Sequence, residues 1–283
     1  MNRNKLNMDV NKTKGWKILI AFFMLFPIYA LGQSRNLTGN DITFISNLDG
    51  TKQQYVELLP KDFRSDKAYD LIIGLHGHGA DRWQFVKDTR GECLAFRTIA
   101  ADHDMIAVSP DYRAKTSWMG PAAEADLVQL IAALKSKYKV RRVFLIGASM
   151  GGTSALTFAA LHPELLAGVT AMNAHANHLE YTNFQEAIGR SFGGKKTDIP
   201  GEYKKRSAEY WPERLTMSLG FTIGTTDTIV PPKSVIRLSG ILKKLDQRVL
   251  LLEDQESGHT TSFENAMTAM KYMLKTVAEN KQK

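Results

Sequence analysis

One pentapeptide in the 283-residue chain has the residue types and spacing for covalent chemistry: Gly147-Ala148-Ser149-Met150-Gly151. It lies between the apolar run Val143–Ile146 and the helical pattern Met150–Leu161. A serine hydroxyl is a weak nucleophile until a base takes its proton and the backbone exposes it. Glycines two residues to either side let a strand and a helix meet in a turn tight enough to push that hydroxyl outward without Cβ clashes. The following helix points its positive N-terminal end at charge developing there. By composition alone the pentapeptide arises by chance in roughly one chain of this size in ten, so its strand-to-helix setting carries the weight.

Three further features fall where such a serine needs partners. His76-Gly77-His78-Gly79 follows the apolar run Tyr69–Leu75. A glycine-bearing turn there can aim the backbone N–H of His78 at an oxyanion, with the N–H of Met150 as second donor. Asp227 follows the run Leu219–Ile223, and His259 follows Arg248–Leu252 in Ser257-Gly258-His259. The order Ser149, Asp227, His259 lets a nucleophile, an orienting carboxylate and a base converge at the ends of separate strands. In these roles His259 accepts the hydroxyl proton and returns it to the leaving group, while Asp227 holds the imidazole in the right tautomer. His76 reads as bonding to nearby backbone. His175 and His178 follow the run Leu166–Met172 and, with Trp211, are candidates for lining a substrate pocket. The i, i+3 histidines have no evident third ligand, so no metal is expected.

The elements that must position these residues alternate. Asp41–Ser46 and Gln53–Leu59, joined by the turn signal Leu48-Asp49-Gly50, read as an antiparallel hairpin at a sheet edge. Tyr69–Leu75 reads as a strand buried on both faces, Arg82–Asp102 as mostly helical, Met105–Val108 as a strand, and Pro121–Tyr138 as a helix with proline in its first turn. Strands at 143–146, 166–172, 219–223 and 248–252 alternate with helices at 150–161, 234–245 and 264–278. Such alternation implies a mostly parallel, doubly wound sheet of about eight strands, helices on both faces and ligands at the carboxyl strand ends. From His175 to Arg214 about 40 residues intervene between strands, rich in aromatics and in lysines at 195–205, which reads as a helical cap over the site. Those lysines ordinarily mean a solvated face, and they also suit an acidic polymer.

Composition limits the rest. Apolar content of 43% and charged content of 23% describe a globular chain, not a disordered one. Half of the net charge of +8 lies in the first 32 residues, where Arg3, Lys5, Lys12, Lys14 and Lys17 face only Asp9. The remainder mixes signs, so no nucleic-acid partner is expected. The basic stretch, the apolar run Ile18–Leu31 and the small-x-small pattern Ala30-Leu31-Gly32 have the three parts of an export signal. At 14 residues with Pro27 inside, that run is short for a membrane span, and no stable insertion is expected after cleavage. The expectation is a bacterial-type signal over 1–32, then one domain over 33–283, secreted or periplasmic. The lone Cys93 excludes an intramolecular disulfide framework.

With LHGHG, GASMGG followed by HPE, GTTDTIVPP and SGH in this order, residues 52–280 resemble the α/β-hydrolase superfamily. They look most like its secreted esterase and prolyl-oligopeptidase-like branch, with the dienelactone hydrolases and the feruloyl and acetyl-xylan esterases. The resemblance implies a serine hydrolase of esters, thioesters or peptides that needs no cofactor. It favours an exported esterase acting on an acylated polysaccharide or a related small ester. A peptidase of the prolyl-oligopeptidase kind is the second reading, although the chain has no room for those endopeptidases' propeller. A non-catalytic binding protein on the same scaffold is the third.

Overall fold

The apolar runs become eight strands of one sheet: β1 (Asn40–Ile45), β2 (Lys52–Leu58), β3 (Tyr69–Leu75), β4 (Ile106–Pro110), β5 (Val140–Ala148), β6 (Gly168–Met172), β7 (Ser218–Gly224) and β8 (Val249–Asp254). Their spatial order is β1-β2-β4-β3-β5-β6-β7-β8. The pairs β1–β2 and β2–β4 are antiparallel, and every pair from β4 to β8 is parallel. The computed structural model describes residues 39–279, which belong to one compact unit. The export-signal reading of residues 1–32 lies outside them.

Among the described residues eight α-helices connect and cover the strands: α1 (Gln84–Lys87), α2 (Gly91–Asp102), α3 (Pro121–Lys137), α4 (Met150–Leu161), α5 (Gln185–Phe192), α6 (Pro200–Lys205), α7 (Lys233–Lys244) and α8 (Phe263–Glu279). Side chains of a strand alternate between faces, so each central strand feeds two cores. Leu71, Ile73, Leu75, Val143 and Leu145 pack with α3, α4 and α7. Ile72, Phe144 and Ile146 face the other way, against α1, α2 and α8. Each such buried aliphatic side chain contributes about 1.5–3 kcal/mol. Cys93 belongs to the second core, where burial pushes its thiol up to about 12, so it acts as a small apolar side chain. Among the described residues no helix is long and apolar enough to cross a membrane.

Two stretches differ from the sequence pattern. The helical run 82–102 is broken between α1 and α2, where the Asp88 carboxylate accepts the Arg90 N–H at 2.9 Å. Gly91 then opens α2 under the start of α8, so close that a Cβ there would stand 2.5 Å from the Phe263 nitrogen. The 175–214 insertion contains only α5, α6 and short 3-10 turns. One buried cation ties it down. Arg206, with its side chain 1% exposed, donates to Glu202 at 2.6 Å, to Glu124 at 2.7 Å and to the Met119 carbonyl at 2.8 Å. A buried guanidinium is tolerated only when paired and hydrogen-bonded in this way. Lys196 also departs from the solvated-face expectation, donating inward to the carbonyls of Leu179 and Tyr181 at 3.1 and 2.8 Å. Lys195, Lys204 and Lys205 are exposed.

Candidate active site

Ser149 sits at the junction of β5 and α4 with φ 58° and ψ −124°. A non-glycine residue held there carries about 1–3 kcal/mol of strain, which the surroundings must offset. Its N–H donates to the Met172 carbonyl at 2.8 Å, and its carbonyl accepts the Thr153 N–H at 3.0 Å. The flanking glycines are obligatory. A Cβ on Gly147 would lie 2.1 Å from the Gly151 oxygen, and one on Gly151 would lie 1.9 Å from the Leu75 oxygen.

His259 and Asp227 reach this hydroxyl from two neighbouring loops. His259 Nε2 lies 2.8 Å from Ser149 Oγ, and Nδ1 lies 2.7 Å from Asp227 Oδ2. An ionised carboxylate only accepts, so Nδ1 carries the proton and Nε2 is left to accept from the serine. The other Asp227 oxygen accepts the N–H groups of Ile229 and Val230, each at 2.9 Å. Burial works to raise the Asp227 pKa, yet the His259 bond and the two backbone donors outweigh it and hold the carboxyl below its ordinary value. The ionised form that fixes the tautomer is therefore the stable one.

The two loops interlock. Thr226 Oγ1 donates to the Ser257 carbonyl at 2.9 Å, and Asn173 at the end of β6 donates to the Gly258 carbonyl at 3.3 Å. Thr261 bonds to the same Asn173. Asn173 was missed in the sequence, although its place directly after a strand was the available signal. Gly224 lies where the loops touch, since a Cβ there would stand 2.0 Å from the Gly258 oxygen. Gly224→Ala therefore displaces His259 from its partners. Misplacement of a catalytic group by an ångström costs about 100-fold. The expected result is a loss of kcat/KM of that order with native far-UV circular dichroism, read by steady-state kinetics.

The turn after β3 supplies the other half of the chemistry. The Gly77 N–H donates to Gln84 Oε1 at 2.7 Å and the Gly79 N–H to the Lys115 carbonyl at 2.9 Å. Among the described residues, the N–H groups of His78 and of Met150, first residue of α4, have no partner. A Cβ on Gly77 would be 3.8 Å from the Ser149 Cβ, so the turn lies against the nucleophile. Two backbone donors are thus left for an oxyanion formed on a carbonyl under attack. His76 bonds to backbone as expected, with its ring nitrogens 2.8 Å from Gly77 O and 3.0 Å from Asp111 O.

The pocket candidates fare differently. Trp211 makes local contacts, with its indole N–H on the Lys204 carbonyl at 3.2 Å and Arg214 4.4 Å over its ring. The tryptophan beside the site is Trp118, which sequence periodicity did not single out. It packs against His78, His175, Tyr181 and Phe184 at centroid distances of 5.9, 5.9, 5.7 and 5.5 Å. His175 is buried, stacks on Tyr181 at 4.0 Å and lines a cavity of about 120 Å³ with Tyr181, Lys233 and Ser234. His178 lies behind it, against Phe192 at 5.0 Å. Among the described residues neither histidine has a hydrogen bond or ring contact with Ser149, Asp227 or His259. Among the described residues no group of three or more His, Cys, Asp or Glu side chains suits a metal.

Burial pushes the His175 imidazole down to about 3 from its ordinary 6.5. The unfolded chain therefore takes up this proton first, and stability present above pH 6.5 is lost as the pH falls toward 3. Urea unfolding across that window should show a steeper loss for the wild type than for His175→Phe, which keeps the stack on Tyr181 and removes the titration. Parallel curves would contradict it.

A strained serine, an imidazole linked to a buried carboxylate and two N–H groups with no partner among the described residues are the parts of a serine hydrolase site. The model of the alpha/beta hydrolase fold family matches residues 70–200. Residues 70–200 are similar to that family, and the chain has the α/β-hydrolase fold, with an open, mostly parallel sheet of eight strands among the described residues. Solved structures share the fold at low identity. A thermostable esterase aligns with 85% of this chain and 62% of its own length, at 17% identity and a TM-score of 0.59. Puromycin hydrolase aligns with 85% of this chain at 17% identity and a TM-score of 0.68, but this chain spans only 39% of its length. An S-formylglutathione hydrolase from Agrobacterium tumefaciens aligns with 88% of this chain and 98% of its own length, at 16% identity and a TM-score of 0.65. No curated protein matches the sequence.

Proposed function

We propose that the protein hydrolyses carboxylic esters through an acyl-enzyme on Ser149. The observation that carries this is the continuous path from Ser149 Oγ through both His259 nitrogens to Asp227, at 2.8 and 2.7 Å. As the hydroxyl attacks the ester carbonyl, its proton passes to Nε2. The carbonyl oxygen takes up the negative charge between the His78 and Met150 N–H groups. Collapse breaks the bond to the alcohol, which leaves with the proton from Nε2. Water then attacks the acyl-enzyme by the same route and releases the acid. Each donor of this kind is worth about 3–4 kcal/mol of transition-state stabilisation.

Within that reaction the proposed substrates are acylated carbohydrates or related small esters, met outside the cytoplasm after export through residues 1–32. A thermostable esterase and an S-formylglutathione hydrolase stand among the similar structures, beside an acylaminoacyl peptidase, so the ester reading rests on fold similarity together with the site. The test is a panel of p-nitrophenyl acetyl, feruloyl and longer acyl esters beside peptide p-nitroanilides, with Ser149→Ala as control. Ester turnover that vanishes in the variant is expected, and peptide turnover without ester turnover reverses the assignment. Cell fractionation, with the protein expected outside the cytoplasm, tests the export.

A further inference from the structure

The loop between β4 and α3 is built at a cost. Tyr112, Arg113, Trp118 and Met119 have φ of 32°, 69°, 45° and 56°. A non-glycine residue in the left-handed region is strained, and such strain persists only where surrounding contacts over-determine it. Those contacts are present. Arg113 donates to Asp49 at 2.7 Å and to Asp126, and the Met119 carbonyl accepts from Arg206 at 2.8 Å. The Asp111 carboxylate accepts the Arg82 backbone N–H at 2.9 Å and its guanidinium at 3.0 Å.

What this loop grips is the turn 76–79. The Tyr112 hydroxyl donates to the His76 carbonyl at 2.6 Å. The His76 ring lies 3.0 Å from the Asp111 carbonyl, and the Lys115 carbonyl accepts the Gly79 N–H at 2.9 Å. On His78 the grip falls on the side chain, because Trp118 Nε1–H donates to His78 Nδ1 at 3.2 Å. An indole N–H is a donor only, so Nδ1 must be the acceptor and the neutral ring carries its proton on Nε2. Phe184 packs on the same imidazole at 4.4 Å. The His78 N–H, which has no partner among the described residues, therefore belongs to the residue whose side chain is fixed by Trp118.

We propose that Trp118 is a positioning residue of the oxyanion hole: its indole N–H holds the His78 ring so that the His78 backbone N–H points at the developing oxyanion. This rests on the serine-hydrolase reading above. Deleting a whole oxyanion donor costs about 100- to 1000-fold in kcat, and a donor left in place but loosely aimed costs a part of that. The clamp acts where charge develops in the transition state, so its loss lowers kcat rather than raising KM.

The test compares Trp118→Phe, His78→Leu and His78→Asn by steady-state kinetics on a p-nitrophenyl ester and by rate and end point of fluorophosphonate labelling. Trp118→Phe keeps a ring and removes the donor; His78→Leu removes the acceptor; His78→Asn returns an acceptor oxygen close to the place of Nδ1. The expected result is a fall in kcat of about tenfold or more for the first two, with KM within about twofold. Labelling should be slower but reach the same end point, and His78→Asn should recover most of the loss. Wild-type kcat in both Trp118→Phe and His78→Leu overturns the proposal, as does a rise in KM at unchanged kcat. Should Trp118→Phe fail to fold, His78→Leu and its rescue by His78→Asn decide alone. A wild-type protein that neither turns over ester nor takes label overturns the hydrolase reading and the clamp together; a reactive wild type with unaffected variants overturns the clamp alone.

Discussion

Ser149→Ala should lower kcat on a p-nitrophenyl ester by about a million-fold while leaving the fold and KM nearly intact. The substitution deletes one oxygen from a half-buried position, and the strain of Ser149 at φ 58° is that of its backbone, so alanine inherits the same conformation. Among the described residues no hydroxyl other than that of Ser149 is hydrogen-bonded to the His259 ring. The remaining activity, about a thousand-fold over water, would come from the two N–H donors and from binding. Because the serine and histidine act as one unit, Ser149→Ala combined with His259→Ala should be little worse than either alone, a non-additivity that independent sites do not produce. Active-site-titrated kinetics of the three variants check both expectations. Substantial ester hydrolysis by Ser149→Ala would remove the covalent mechanism.

Asp227→Asn should cost about ten-thousand-fold in kcat for a reason specific to this loop. One carboxylate oxygen is committed to the N–H groups of Ile229 and Val230, at 2.9 Å each. An asparagine in this place must give its only oxygen to those two donors, which turns its NH2 toward His259 Nδ1. The imidazole then has to accept at Nδ1 and carry its proton on Nε2, facing the serine hydroxyl that it should deprotonate. The wrong tautomer is thus locked in by backbone. Asp227→Ala leaves the ring untethered but free to reach the right tautomer, so it should be no worse than Asp227→Asn despite the larger change in shape. Measured kcat for the two variants tests this ordering, and a nearly active Asp227→Asn would contradict it.

Much of this site was legible because its determinants are local. Gly147 and Gly151 carry the elbow, since at both positions a Cβ would collide with backbone within about 2 Å. Each of the other triad members follows an apolar run that becomes a buried strand, and strand ends are where such sheets place ligands. The same positional logic points to the N–H groups of His78 and Met150, which have no partner among the described residues. What was not legible depends on contacts far apart in sequence. Residues 111–119 carry no periodic pattern, and Trp118 takes its importance from a bond to His78 forty residues away. Trp211 had the composition of a pocket residue, and the contacts it makes are local ones, to the Lys204 carbonyl and the Arg214 guanidinium. Lys196 looked solvated because its charge is visible in sequence and its two carbonyl acceptors are not. The break between α1 and α2 has a similar origin, for the approach of Phe263 to Gly91 is tertiary.

The most direct test of the central claim is to trap the intermediate. The wild-type protein is mixed with excess p-nitrophenyl acetate, quenched in acid within the first turnovers, digested and analysed by mass spectrometry. The account predicts one acetyl group per chain, located on Ser149, absent from Ser149→Ala and accumulating in Asp227→Asn only at a greatly reduced rate. Hydrolysis at the wild-type rate with acetyl on another residue, or with Ser149 unmodified at every quench time under conditions where deacylation is slow, would contradict it.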